Sequence, residues 1–299
     1  MSFIINTTLY IFVLLINRMK NILILTDFSE KSWNSILYAL GLFQKERCNF
    51  FVLNAGIRDE NEIQETGYNQ LELVHVRNKR DVKREFDKLI KRIDSLTLKN
   101  GHHFYPVIED DNIIEATRKQ VKDKDIDLIV IGADDMSLKG KLNKNSISED
   151  VITKVKCSVL VVPKKAKFNG LEEIGFPTDY TNFYEAKLFE ELISKVSCCD
   201  SALKFLHLCK KKEVLNKEQK WNKETLHDYF IDEEHSFHSE TNKNLEESLE
   251  YFIDSMGINL IVLAAKNLNL LEQILFRPKI EDLNYYSSTP FLALHQSNK

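Results

Sequence analysis

The stretch ILILTDFSE at residues 22–30 decides the fold. It opens with the continuous apolar run ILILT, which is typical of a parallel strand buried on both faces. The apolar residues that follow have helical spacing and predict an amphipathic helix: Trp33, Ile36, Leu37, Leu40 and Phe43. A buried strand that leads directly into a helix is the unit from which parallel α/β sheets are built.

The same alternation continues to residue 163. Further strands are predicted at 50–55, 103–108, 128–131 and 159–162, with helices around 82–93, 113–121 and 146–155 between them. Strands that alternate with helices pair in parallel through right-handed crossovers. The prediction for this half is therefore a five-stranded parallel sheet sandwiched by helices.

The second half of the chain repeats this order. Strands are predicted at 174–178, 202–208, 260–263 and 290–294, and from the third strand onward the halves align at a constant offset of 132. His103 thus matches His235, and Gly132 matches Ala264. Residues 57–76 of the first half have no counterpart, and their polar, acidic start predicts a surface loop or lid that proteases reach first. A period of one domain predicts two tandem domains related by a pseudo-twofold axis.

The domain boundaries follow from the repeat. We expect a first domain at 19–163, a linker at 164–170 and a second, degenerate domain at 171–295. Residues 1–18 carry an apolar run that is short for a membrane span and lacks a basic flank and a cleavage site. We expect this extension to lie outside the fold, from a start codon assigned upstream of Met19. A membrane-surface anchor is the alternative.

Composition limits the partners and the compartment. The 41 basic and 45 acidic residues give a net charge of -4, which argues against nucleic acid as a partner. Five cysteines without a CxxC pair argue against zinc and thioredoxin-like chemistry. The adjacent Cys198 and Cys199 are interpreted as free thiols rather than a redox pair. These features predict a cytoplasmic protein without a stable membrane span.

Three segments resemble the universal stress protein family, over residues 19 to about 295. They are TDFSE at 26–30, DLIVIG at 127–132 and CSVLVVP at 157–163, with weaker copies at 177–181, 259–264 and 289–294. The resemblance implies the adenine-nucleotide alpha hydrolase-like fold in both halves. It also implies that the closing strands at 159–162 and 290–294 pair within one chain, as a pseudo-dimer that mimics the family dimer. A further homodimer remains open.

Family members that bind ATP carry G-x2-G-x9-G-[ST] after the fourth strand. A glycine-rich turn lets backbone N–H groups approach phosphate, and a hydroxyl at a helix start adds a donor. Here Gly132 and Ser146 hold their positions, but Asp135 and Asn145 replace the other two glycines. A carboxylate about 4 Å from a phosphate costs roughly 1 to 4 kcal/mol, so Asp135 is the serious departure. Three lysines in the same loop offer positive charge that would offset this repulsion: Lys139, Lys141 and Lys144.

By resemblance, the nucleotide-binding residues of the first half are Thr26, Asp27, Ala55, Gly132, Asn145, Ser146 and Ile147. Asp27 would lie near the ribose, and Ala55 would offer backbone groups to the adenine. The alternative for Asp27 is a turn residue before the helix, which needs no ligand. The second half has Ala264, Asn267, Arg277 and Pro278 in the motif, and we expect no nucleotide site there.

Other chemistry has little support in the sequence. His235 and His238 lie three apart on a predicted strand and point to opposite faces, as do the neighbours His102 and His103, so no metal cofactor is expected. No nucleophile elbow or Walker loop is present. The sequence predicts a stress-response regulatory or binding protein that acts through conformation and a protein partner, with weak or no ATP binding. The alternative is an ATP-binding switch with slow hydrolysis in the first half.

Overall fold

The computed structural model describes residues 19–56, 79–97, 101–133, 147–199, 201–209, 214–241, 245–267, 274 and 288–295. The extension 1–18, the insertion 57–76 and the loop positions Asp135, Asn145 and Ser146 lie outside these residues. No helix in the described part of the chain is long and apolar enough to cross a membrane.

Strands and helices alternate through both halves. The strands of the first half are β1 Lys20–Leu25, β2 Cys48–Ala55, β3 His103–Glu109, β4 Leu128–Ala133 and β5 Val159–Pro163. Its helices are α1 Glu30–Leu42, α2 Lys79–Asp94, α3 Ile113–Asp123 and α4 Ile147–Lys154. The strands of the second half are β6 Glu173–Thr178, β7 Ala202–Cys209, β8 His235–Thr241, β9 Leu260–Ala264 and β10 Phe291–Leu294. Its described helices are α5 Ala186–Cys199, α6 Lys217–Tyr229 and α7 Leu245–Met256.

All ten strands form one sheet in the order β3-β2-β1-β4-β5-β10-β9-β6-β7-β8. Neighbouring strands are parallel except at the centre, where β5 and β10 run antiparallel. The order of one half is therefore the order of the other reversed, which confirms the predicted pseudo-twofold arrangement. The predicted pairing of the two closing strands within one chain is also confirmed.

The core lies on both faces of this sheet. Along β1, Ile22 and Ile24 pack into one apolar layer, whereas Leu23 and Leu25 pack into the other. Helices α1, α2, α5 and α6 contribute to the first layer, and α3, α4 and α7 contribute to the second. Each layer contains residues of both halves, so apolar burial, which dominates folding energetics, links the halves.

The segment between the halves is held by α1. The Asn34 side-chain amide donates to the carbonyl oxygens of Pro163 and Ala166, both at 2.9 Å. Phe168 packs edge-on against Tyr38, with ring centroids 5.4 Å apart. The chain leaving β5 is thus fixed against the first half before it enters β6.

Candidate functional site

The turn after β1 is built by side chains that bond their own backbone. The Thr26 Oγ1 accepts from the Phe28 N–H at 3.0 Å, and the Asp27 carboxylate accepts from the Ser29 N–H at 3.0 Å and from the Ser29 hydroxyl. Phe28 takes a left-handed conformation with φ 62°. Ser29 then caps α1 by accepting from the Ser32 N–H. The short polar residues of TDFSE therefore form the turn that starts the first helix.

Asp27 already has partners for both carboxylate oxygens. Oδ1 takes the Ser29 hydrogen bonds, and Oδ2 lies 3.5 Å from the Lys31 Nζ. Partial burial raises the pKa of Asp27, but the Ser29 hydrogen bonds and the Lys31 charge outweigh it, so the pKa lies below its ordinary value. Asp27 is therefore an ionised carboxylate that stabilises the turn, and not a general base whose pKa lies near neutral pH. Its spacing from Lys31 was the signal in the sequence that could have revealed this pair.

The second half builds the same turn after β6. The Thr178 Oγ1 accepts from the Tyr180 N–H at 3.0 Å, and the Asp179 Oδ1 accepts from the Thr181 N–H at 3.1 Å. Tyr180 repeats the left-handed conformation with φ 56°. The motif recurs in the half whose sequence departs furthest from the ATP-binding pattern. The turn alone accounts for the aspartate at both places.

Gly132 follows Ile131, which pairs with Leu25 near the end of β1, and the first turn of α1 packs against it. A Cβ placed on Gly132 would stand 2.7 Å from the Lys31 carbonyl carbon and 3.0 Å from the Ser32 nitrogen, closer than real side chains come. The first turn of α1 thus requires glycine here. In the second half α5 starts one turn later relative to its strand, and Ala264 occupies the matching place.

Ala55 ends β2, one strand away from Thr26. Its neighbour Asn54 is buried and donates its side-chain amide to the Thr26 carbonyl oxygen at 2.7 Å. Gly56 follows with φ 81° and donates its N–H to the Asp111 carbonyl oxygen at 2.8 Å. Asn54, which the sequence reasoning missed, is the residue that joins the ends of β1 and β2.

The structure thus brings part of the predicted site together. Thr26, Asp27, Ala55 and Gly132 share the carboxyl-end edge of β1, β2 and β4, which is where open α/β sheets hold ligands. Ile147 opens α4 and is 54% exposed. The placement of Asn145 and Ser146 lies outside the described residues.

The histidines of β8 make a contact that the sequence did not predict. His235 Nε2 lies 2.8 Å from Nδ1 of His227 on α6, while His238 Nε2 contacts the Ser236 hydroxyl at 2.8 Å. His235 and His238 belong to separate pairs, as their predicted opposite orientation requires. Within the described residues, no group of three or more potential metal ligands is present.

Comparisons with known proteins identify the fold and the family. The model of the universal stress protein family matches residues 19–163. No curated protein sequence matches the chain significantly. A universal stress protein from Archaeoglobus fulgidus has a similar structure, with 13% identity, a TM-score of 0.61, and coverage of 93% of this chain and 98% of that one.

Two further structures of similar extent come from Pseudomonas aeruginosa. One is described as a putative universal stress protein, with 12% identity, a TM-score of 0.53, and coverage of 93% of this chain and 94% of that one. The other is described as a functionally unknown protein, with 11% identity, a TM-score of 0.53, and coverage of 93% of both chains. Residues 19–163 therefore belong to the universal stress protein family, and the chain as a whole has the fold of a universal stress protein of its own length.

Proposed function

We propose that this chain is a stress-response regulatory or binding protein. It acts through its conformation and through a protein partner, and its first half binds ATP weakly or not at all. We further propose that residues 19–163 and 171–295 are its two domains and that 164–170 join them. The observation that carries the proposal is that both carboxylate oxygens of Asp27 already have partners within the protein, Ser29 and Lys31.

The second-half turn supports this reading of Asp27. Asp179 makes the same turn and also accepts from the Asn267 side-chain amide, at 3.3 Å. The hydrogen bonds of the turn alone explain a carboxylate that is retained where the sequence offers no phosphate loop. Gly132 also supports a structural explanation of the motif. The Lys31 backbone packs so closely against it that only glycine fits, whether or not a phosphate binds.

Weak nucleotide affinity is expected from the loop sequence after β4. Asp135 places a carboxylate where ATP-binding relatives have glycine, and repulsion between it and a phosphate costs about 1 to 4 kcal/mol. Any adenine nucleotide in this half would be held by the seven residues that the resemblance implies: Thr26, Asp27, Ala55, Gly132, Asn145, Ser146 and Ile147. We propose no metal cofactor of the protein's own.

We propose no catalytic activity of the chain's own. Hydrolysis of ATP needs a group that positions or deprotonates water, and a base works best with a pKa near the working pH. The pKa of Asp27 is held below its usual range by its neighbours, which makes it a poor base. The second candidate function is a slow ATP-hydrolysing switch in the first half. It is favoured by the meeting of Thr26, Asp27 and Gly132 at the strand edge that holds ligands in such folds.

The proposed mode of action uses the joined sheet. Because β5 and β10 pair inside one chain, the contact that would join two separate subunits is already made, so a protein partner would meet a different surface of the chain. We place the protein in the cytoplasm, as the composition and cysteine pattern of the sequence predict. A homodimer of the whole chain is compatible with this arrangement, and nucleic acid is not a proposed partner.

Purification without added nucleotide tests the proposal. Protein from cells is desalted and denatured, and the released small molecules are measured by mass spectrometry against the protein concentration. We expect ATP and AMP at far below one molecule per chain. Stoichiometric ATP would overturn the proposal. If ATP is then added to the purified protein, its slow conversion to ADP would favour the switch instead.

A further inference from the structure

A cleft of about 280 Å³ opens in the second half, where the ends of β9 and β10 meet the start of α5. Its apolar surface comes from Phe183, which is 41% exposed, from the buried Tyr184, Leu188 and Leu294, and from Ala265. The volume lies near the lower limit of the roughly 300 to 1,000 Å³ typical of ligand pockets. The cleft therefore suits a small molecule rather than a nucleoside triphosphate.

The cleft exists because the second half departs from the first. Helix α5 begins one turn later than α1 does, so its backbone does not cover the end of β9 as α1 covers Gly132. Tyr184 stands in the sequence position that matches Ser32, and its hydroxyl bonds with Thr178 and Asn267. Burial raises the pKa of Tyr184 to about 12, so the ring remains neutral. The polar groups beneath the cleft are thus satisfied by one another.

Two lysines lie at the rim, one from each half of the chain. Lys156 precedes β5 and reaches the cleft because β5 is antiparallel to β10, while Lys266 follows β9. Both are exposed, and no carboxylate among the described residues lies within ion-pair distance of either. Glu185 also lines the cleft. Two ammonium groups and one carboxylate leave the rim with a positive balance.

His295 also lines the cleft, and it ties the halves together. Its Nε2 lies 2.8 Å from the Ile152 carbonyl oxygen, an acceptor, so this nitrogen carries the proton. Its backbone N–H donates to the Ser158 hydroxyl at 3.2 Å. Burial lowers the pKa of His295, so the ring is neutral at pH 7 and Nδ1 is left as an acceptor. The cleft therefore offers an anion hydrogen bonds from the two lysines, beside a neutral His295.

We propose that this cleft binds a small organic anion with an apolar body, of which an aromatic carboxylate is the type. The carboxylate would lie between Lys156 and Lys266, and the ring would lie on Tyr184, Leu188 and Leu294. Charge-assisted hydrogen bonds fix the anionic end, and burial of the ring supplies most of the remaining affinity. Because each half supplies one lysine, the ligand would also bridge the two halves.

The probe is 3-fluorobenzoate, followed by fluorine NMR on the full chain. We expect saturable binding, weakened about fivefold to tenfold by Lys156→Gln and by Lys266→Gln. Lys154→Gln is the matched control. It removes an equal charge two positions from Lys156, but the Lys154 side chain pairs with Asp150 and does not line the cleft. The control should bind as the unmodified protein does. Thermal unfolding of each variant verifies that it is folded.

Two further measurements distinguish specific binding in this cleft from non-specific attraction of anions. Benzyl alcohol has a similar shape without the charge and should fail to displace the probe, as should inorganic phosphate, which lacks the apolar body. Ala265→Leu adds bulk at the cleft and should reduce binding without any change of charge. Absence of saturable binding, equal binding in all lysine variants, or displacement by phosphate as effective as by benzoate would each overturn the proposal.

Discussion

Val161 on β5 lies opposite Phe291 on β10, at the antiparallel junction where the two halves of the sheet meet. Both side chains are buried, at 2% exposed, in one apolar layer that also contains Ile131 of the first half and Ile261 of the second. The junction is thus part of a core that the halves share. An interface of this kind predicts that the halves unfold together.

Val161→Asp tests the shared core. An unpaired carboxylate in this layer should cost about 3 to 5 kcal/mol of the free energy of unfolding. Thermal unfolding should show one transition, shifted as a whole. Tyr105→Asp on the edge strand β3, where the residue is 44% exposed and stacks on Phe51, is the control and should cost clearly less, about 1 kcal/mol. Two transitions with only one displaced would contradict a shared core, and a dimer through these strands, seen by light scattering, would contradict intramolecular pairing.

Gly132→Ala tests the packing role of this glycine. The new methyl would press on the Lys31 backbone, which is the first turn of a helix and cannot move alone. We expect a loss of about 1 to 3 kcal/mol in urea unfolding, as for other overpacked sites. The counterpart Ala264→Gly removes a methyl where no helix turn presses, and should cost about 0.5 to 1 kcal/mol. If Gly132→Ala is as stable as the unmodified protein, packing against Lys31 does not explain the glycine.

Asp27→Ala and Asp179→Ala should behave alike. Each removes the side-chain acceptor of an equivalent turn, so each should lower the free energy of unfolding by about 1 kcal/mol, the net contribution of a typical hydrogen bond. Asp27→Asn keeps the oxygen that accepts from Ser29 and should cost less than the alanine variant. The measurement is urea unfolding without nucleotide. A neutral Asp27→Ala beside a costly Asp179→Ala would mean that only the second aspartate serves the fold.

His295 should make stability depend on pH. Its pKa is below the ordinary value in the folded protein, because the ring is buried, and is ordinary in the unfolded chain. Between those two values the unfolded chain binds more protons, so stability falls as pH drops below about 6.5. The slope from one such group is at most about 1.4 kcal/mol per pH unit. His295→Gln should therefore reduce the change of stability between pH 7 and pH 5. A profile identical to that of the unmodified protein would contradict a role of His295 and point to His102 and His238, whose pKa values are also lowered.

Hydrophobic pattern was enough to predict the sheet. Each predicted strand of the repeat is present, and the matched positions His103 and His235 both open their strands. The inner strands were predictable because they are continuous apolar runs that are buried on both faces of the sheet. The closing pair β5–β10 was predicted from family resemblance rather than from pattern. Pattern cannot specify which strand edges meet when both are equally apolar.

The site was harder to predict, because sequence spacing does not show which backbone approaches a residue. Gly132 was interpreted through a phosphate-binding motif, although its contact with Lys31 depends on where α1 begins. The cleft beside Lys266 was missed for a similar reason, since its second lysine, Lys156, comes from the other half through an antiparallel junction. Likewise, nothing in the sequence places His227 against His235 across a helix and a strand.

Calorimetric titration with ATP and Mg²⁺ tests the central claim most directly, namely that the first-half motif serves the fold and binds ATP weakly. The unmodified protein is compared with the double variant Asp135→Gly and Asn145→Gly, which restores the glycines of ATP-binding relatives. Asp134→Gly is the control, since it removes one negative charge without restoring the motif. We predict weak or undetectable binding by the unmodified protein and the control, and affinity about tenfold higher or more in the double variant. Low-micromolar binding by the unmodified protein would contradict the account.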